Sequence, residues 1–307
     1  MGADKKATLA VNSRDMIGES PVWDILNDRV LWIDKASGTI HEGKADKDGK
    51  WGQTNSWTLD RKIGAVILRR EGGLIVTSGT EIYTLDHEGE LELFAETGAD
   101  PDLVQLNDAK CDPQGRLWSG TFALDGSASS GELYRIDPDG GVSTLLSGIG
   151  LSNGLGWSPD GTIFYYIDSF TGAVDAFDFD GRRGTISNRR SVIRCEGVGI
   201  DGMTVDDEGC VWFSAFGTSD VRRFSPDGAE IGRVEVGDIG VTSCEFGGSD
   251  LGELFITTAA GRLPEPLWDF VGFTADMADR AAAAPGAGGL FVCRPGSRGQ
   301  PASRFAG

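Results

Sequence analysis

Glu19, Asn107, Asn153 and Asp201 are the residues whose types and spacing point most directly to chemistry. Each stands five places before the start of a short turn. Three of these turns read Asp112-Pro113-Gln114-Gly115, Ser158-Pro159-Asp160-Gly161 and Asp206-Asp207-Glu208-Gly209. Two carboxylates and two amide carbonyls suit a hard divalent cation such as Ca²⁺ or Mg²⁺, and the set is also compatible with Mn²⁺ or Zn²⁺. Taken singly, Asn153-Gly154 and Asp201-Gly202 read as turns, Glu19 before Ser20-Pro21 as a solvated acid, and Asn107-Asp108 as a cap or Asx-turn. Four independent turns do not explain one shared register. A structural polar layer, whose groups satisfy one another, is the competing reading.

That register belongs to a repeat. Each turn separates two short runs of aliphatic, aromatic and β-branched residues, the mark of a hairpin. The runs after the turns resemble one another, as in Arg29-Val30-Leu31-Trp32-Ile33-Asp34, Arg116-Leu117-Trp118-Ser119-Gly120 and Cys210-Val211-Trp212-Phe213-Ser214. A second turn class follows later in the unit, as in Asp137-Pro138-Asp139-Gly140 and Ser225-Pro226-Asp227-Gly228. Aligned on the first turn, the register positions are Glu19, Gly64, Asn107, Asn153, Asp201 and Thr242, with successive differences of 45, 43, 46, 48 and 41. Units of this length, each with about four strands, predict an all-β, six-bladed β-propeller with four antiparallel strands per blade. Six blades use the whole chain, so a single domain over residues 1–307 is expected, and Ala7–Val11 is expected to close the ring as an outer strand of the last blade. The first strand of each blade lines the central channel, so the register positions converge on its axis.

Helical periodicity is confined to Thr274–Ala284, ended by Pro285-Gly286, within an insert of the sixth blade at about residues 260–288. The insert connects Phe255–Thr258 to Leu290–Cys293, and strand direction brings it out on the ligand-bearing face. Its Leu267, Trp268, Phe270, Val271 and Phe273 are too apolar for a free loop. Trp268 and Phe270 are therefore expected to lid the channel mouth and touch substrate, the plainer reading being that they cover the side of blade six.

Composition removes several classes. With 28 basic against 47 acidic side chains the net charge is −19, which argues against a nucleic-acid partner. No apolar run approaches a membrane span, and Met1–Arg14 has no apolar core of a secretory signal. Cys111, Cys195, Cys210, Cys244 and Cys293 are scattered without Cys-x-x-Cys spacing, which favours reduced thiols and a cytoplasmic protein. The two histidines, His41 and His87, sit beside Glu42 and Glu88 in expected hairpin loops and read as surface residues. No histidine stands at a ligand register to activate a serine.

Four segments carry a family resemblance: Gly18-Glu19-Ser20-Pro21-Val22-Trp23, Asn107 through Arg116, Leu151 through Gly161, and Asp201-Gly202-Met203-Thr204-Val205-Asp206. With Phe246–Gly252 and Gly289–Gly296, they resemble the SMP-30/gluconolactonase/luciferin-regenerating-enzyme family across nearly the whole chain. The resemblance implies a six-bladed propeller that binds one divalent metal and most often hydrolyses small sugar lactones, some relatives cleaving organophosphates. It further implies that Glu19, Asn153 and Asp201 ligate the metal. By the same resemblance Asn107 touches metal, often through water, or substrate, and Asp201 serves as general base. The sequence departs from the pattern at Ala109 in place of glycine, at Ile200 in place of proline, and at Gln105 where many sugar lactonases carry Arg. A neutral amide bonds a hydroxyl or carbonyl but cannot pair with a charge. Gln105 is therefore expected to contact a lactone less polar than gluconolactone or differently substituted. The leading expectation is a metal-dependent lactonase. The same metal site doing phosphotriester, lyase or hydratase chemistry, and a non-catalytic calcium-binding propeller, are the alternatives. Sequence leaves the metal, the lactone and the oligomeric state open.

Overall fold

The computed structural model describes residues 5–195, 197–237, 240–260 and 274–307. Six four-stranded antiparallel sheets succeed one another along the chain, and their first strands are Gly18–Asp24, Val66–Leu68, Val104–Cys111, Ser152–Trp157, Gly199–Val205 and Val241–Gly247. In each sheet the chain runs outward, and in the sixth it finishes with a strand from the other terminus. Thr8–Val11 pairs antiparallel with Leu290–Cys293 as the outermost strand of blade six, closing the ring as expected. Lys5–Lys6 adds a short parallel edge to blade five, on Glu230–Glu235.

Burial follows this radial order. Ser152–Trp157 and Val241–Gly247 are buried at every residue, whereas the outer strand Trp51–Thr58 is mostly exposed. Six apolar clusters fill the six seams between neighbouring blades. Trp118 of blade three packs against Trp157 and Phe164 of blade four at ring-centroid distances of 5.5 and 4.8 Å, and Trp23 of blade one stacks on Phe255 of blade six at 5.8 Å. The repeated first turns are braced from within. Asp112 Oδ1 accepts the Gln114 and Arg116 amides while Oδ2 accepts Trp118 Nε1 and Arg116 Nε, and Asp206 accepts Glu208 N, Cys210 N and Trp212 Nε1 in the same way. The recurrent Asp-to-Trp spacing in the sequence is thus a turn brace.

One element has no repeat to announce it. Residues 298–307 cross the first-turn end of the channel and bond to all six blades. Gly299 N donates to Leu251 O, Asp207 N to Arg298 O, and Gln300 Nε2 to Val205 O and Trp157 O. Ala306 N donates to Gly115 O, Phe305 exchanges bonds with Leu68 O and Arg70 N, and Arg304 pairs with Asp24 of blade one. Phe305 is fully buried and meets Phe94 edge-on at 5.2 Å. The insert of blade six leaves after Thr258 and returns at Leu290, with its described helix at Ala275–Ala283. Ala259 N bonds Gly240 O and Asp15 N bonds Gly288 O, so both ends of the insert lie at the ligand-register end of the channel.

His41 departs from its expectation. It lies inside the third strand of blade one, Thr39–Ala45, because the hairpin turn falls earlier, at 35–38. The ring is buried, stacks on Trp32 at 5.0 Å and has Nε2 2.9 Å from Asp15 Oδ1. His87 is exposed on its turn, as read from sequence.

The tail gives the first prediction. Phe305→Ala removes a fully buried ring that joins blades two and three, and should lower unfolding free energy by about 3–5 kcal/mol. Urea denaturation measures this. A change below about 1 kcal/mol would mean the tail is a passive cover.

Candidate functional site

Why do the four register residues face the channel? In each case the first strand is irregular at that point. Pairing with the second strand shifts between Glu19 and Val22, between Leu106 and Ala109, between Asn153 and Leu155, and between Ile200 and Met203. A bulge places two residues opposite one and re-aims a side chain. Ser20, the residue after Glu19, accordingly adopts φ +50°, unusual for a residue with a Cβ. After Asp201 the same position is Gly202, where a Cβ would stand 2.1 Å from Ser243 Oγ of the next blade.

Blades two and six supply no ligand for physical reasons. A Cβ at Gly64 would lie 2.7 Å from Leu106 O and 2.8 Å from Asn107 O, so blade two has no room for a side chain there. Thr242 Oγ1 donates to Gly18 O at 2.6 Å and lies 2.9 Å from Thr257 Oγ1, so its hydroxyl is spent on joining blade six to blade one.

Glu19, Asn107, Asn153 and Asp201 line one pocket of about 200 Å³ at this end of the channel. The amides are oriented by a chain of hydrogen bonds. Asn107 Nδ2 donates to Asn153 Oδ1 at 2.9 Å and to Ser152 O, Asn153 Nδ2 donates to Ser169 Oγ, and Ser169 Oγ donates to Ile200 O. Both amide nitrogens are thereby committed, and each amide oxygen, although it accepts one hydrogen bond, keeps a second lone pair. Glu19 Oε2 accepts the Ser20 amide at 2.9 Å. Burial pushes the Glu19 carboxyl up to about 7, with Lys35 opposing and Asp108 adding to the rise. Asp201 is driven well above the ordinary carboxylate range, first by burial and then by the charge of Glu19. Two acids in one pocket are costly when ionised together, unless a cation shares the space. The donor set and its charge therefore fit a divalent ion.

Lys35 was not anticipated. It stands on the turn after the second strand of blade one, with its amide on Ile17 O and its carbonyl accepting from Ile63 N. Its Nζ donates to Asn107 Oδ1, which puts an ammonium among the proposed ligands. Lys62, Gln105 and the apolar Ile17, Ile63, Leu106, Phe122, Leu151, Ile200 and Phe216 complete the walls. Gln105 thus lies in the pocket where sequence placed it, while Trp268 and Phe270 fall outside the described residues.

Deeper in the channel a second cavity of about 100 Å³ is closed by Gln300–Ser303 of the tail. There Lys110 Nζ meets Glu245 Oε2 at 2.8 Å and donates to Met203 O, and Glu245 Oε1 accepts from Thr204. Among the described residues, one group of three acidic or thiol side chains draws together closely enough to suggest a metal: Asp206, Glu208 and Cys210 at the opposite end of blade five. Arg223 already pairs with both acids, and burial beside Asp206 holds the Cys210 thiol at about 11, so that group is a turn brace.

The raised carboxyls predict a pH signature. In metal-free protein the unfolded chain releases the Glu19 proton near its ordinary value, 4.5, while the folded protein keeps it to about 7. Stability therefore falls as pH rises through that window. A cation binds the ionised form, so the gain in Tm on adding metal should grow from pH 5 to pH 8. Metal shifts that shrink over this range would contradict the assignment. Lys35→Met should also tighten metal binding by about tenfold, because it removes a like charge; at an effective dielectric between protein and water this amounts to about 1–2 kcal/mol. Calorimetric titration reads it directly.

Residues 17–260 match the family model described as the SMP-30/Gluconolactonase/LRE-like region. Regucalcin of Sus scrofa is 35% identical over 301 residues, covering 94% of this chain and 95% of its own. YvrE of Bacillus subtilis (strain 168), whose name provisionally assigns it as a sugar lactone lactonase, is 33% identical over 310 residues, covering 98% and 99%. A solved luciferin-regenerating enzyme superposes with a TM-score of 0.84 at 28% identity, over 95% of this chain and 96% of that one. A matched region of this extent, with relatives aligned almost end to end, makes the chain a member of the SMP-30/gluconolactonase/LRE-like family.

Proposed function

We propose that the protein is a divalent-metal-dependent hydrolase that opens a small lactone. The observation that carries this reading is the convergence of Glu19, Asn107, Asn153 and Asp201 on one pocket, with two carboxyls whose burial calls for a cation. Family membership, and the names gluconolactonase and lactonase among relatives, support the reaction class. Glu19, Asn153 and Asp201 would hold the ion, with Asn107 directly or through water. When bound, the cation supplies Lewis-acid stabilisation of negative charge at the lactone carbonyl.

The chain's own residues do the rest. The apolar walls from Ile17 to Phe216 seat the ring and exclude bulk water. Water attacks the carbonyl carbon, and Asp201 accepts its proton. The ring C–O bond then breaks, and the proton passes to the departing alkoxide, giving a hydroxy acid. Asp201 is a weak base while it helps hold the ion, and that suffices because the same ion would acidify the attacking water. Gln105 offers an amide to a ring substituent. No disulfide joins the five cysteines, four of which are buried, and this suits a reducing cytoplasm. No described helix is long and apolar enough to cross a membrane.

The test is a lactone panel scored by acid release, with and without chelator. Turnover should vanish on chelation and return with metal. Asp201→Asn should lower kcat by about 10³-fold, the middle of the range for a general base, while keeping measurable metal binding. Glu19→Gln should act through metal affinity and be partly rescued by excess metal. Chelator-resistant hydrolysis, or Asp201→Asn at wild-type rate, would remove this mechanism.

A further inference from the structure

Lys35 and Lys62 are the two lysines that line the candidate site of this acidic protein, among the described residues. Arg29, Arg116, Arg189, Arg223 and Lys110 all pair with buried or partly buried carboxylates. Among the described residues neither Lys35 nor Lys62 lies in ion-pair range of a carboxylate, yet both line the pocket above the four oxygen ligands. They are also tied to each other through the backbone. Ile63 N donates to Lys35 O, and Lys62 O accepts from Ser78 Oγ at 2.7 Å. The two ammonium-bearing segments are therefore held on one wall.

Among the described residues the other charges in the pocket are Glu19 and Asp201. A divalent ion held by those two carboxylates would cancel their charge and would repel the Lys35 ammonium from Asn107 Oδ1. The flexible four-carbon stem lets that ammonium turn into the substrate space. Asp108, whose carboxyl lines the deeper cavity beside Lys110, attracts the Lys35 ammonium from a distance but makes no ion pair with it. The metal-loaded pocket then presents two positive groups and a neutral amide, Gln105, around an apolar ring seat.

We infer that Lys35, assisted by Lys62, selects a lactone that carries a carboxylate. This rests on the lactonase reading and names its substrate class. The positive charge that Gln105 lacks enters the pocket from a different blade. An ammonium paired with a substrate carboxylate inside a partly desolvated pocket contributes mainly to binding, so it should appear in KM.

The experiment uses metal-loaded protein and matched substrates: γ-butyrolactone against the same ring bearing a carboxylate at the γ carbon, and δ-valerolactone against its δ-carboxylate. Wild type should favour the carboxylated member by about tenfold or more in kcat/KM, largely through KM. Lys35→Met should bring the ratio close to unity, and Lys35→Arg should preserve it. A merely structural role for Lys35 would lower both members alike and leave the ratio standing. Equal efficiency of wild type on both members, or an unchanged ratio in Lys35→Met, overturns the inference. Should wild type open neither lactone, the hydrolase reading fails by itself, and binding then decides the charge question. Cyclopentanecarboxylate should bind wild type more tightly than cyclopentanecarboxamide, and Lys35→Met should abolish the difference. Equal binding of the two to wild type overturns the inference in that case as well.

Discussion

Two carboxyl groups, the buried Glu19 and the half-buried Asp201, share one pocket on the axis of a ring of six sheets. The charge of Glu19 makes Asp201 harder to ionise, and among the described residues no arginine pairs with either. The rest of the site follows from that constraint. A first strand that stayed regular would aim these side chains into the seams between blades, where no solvent or counter-charge could reach them. Bulges turn them to the channel instead, at the cost of a left-handed Ser20 and of glycine at 202. The amide chain from Asn107 through Asn153 and Ser169 to Ile200 O fixes two further oxygens beside them. The scaffold accordingly delivers an oxygen-rich pocket before any ligand arrives, which is the preorganisation a hard cation needs.

Much of this was legible because the propeller repeats its chemistry along with its shape. The spacing from Glu19 to Thr242 gave six units, and the turn tetrads fixed the alignment closely enough to bring the four ligand candidates into one register. The same alignment explains the two empty positions only after the packing is known. Gly64 reads as any turn glycine until Leu106 O and Asn107 O are seen against it. Lys35 escaped for a different reason. It follows the second strand, not the first, and register logic was applied to the first alone. Extended to the ends of the second strands, it gathers Lys35, Gly79, Phe122, Ser169 and Phe216, all of which line the pocket.

The tail and His41 were illegible for want of a pattern. Residues 298–307 carry no repeat signal, and their partners, mostly backbone groups, lie on six different blades; such contacts leave no trace in local composition. His41 looked exposed because a histidine beside a glutamate suggests a loop. Its burial depends on Trp32 and Asp15, one a strand away and the other in the loop before blade one. These two features also divide the labour of the channel. The tail seals one end and supports the Lys110–Glu245 layer above it, so solvent and substrate have the ligand-register end for access.

The claim on which everything turns is that a single divalent ion occupies the Glu19–Asp201 pocket. A crystal structure of protein loaded with Mn²⁺ or Ca²⁺, with the ion placed by anomalous scattering, tests it most directly. The account predicts one ion with carboxylate oxygens of Glu19 and Asp201 and the amide oxygen of Asn153 at about 2.1–2.6 Å, and with the Lys35 ammonium displaced from Asn107. An ion found at Asp206, Glu208 and Cys210 instead, or saturating metal that leaves Lys35 on Asn107 and no ion within about 3.5 Å of Glu19 and Asp201, would contradict it.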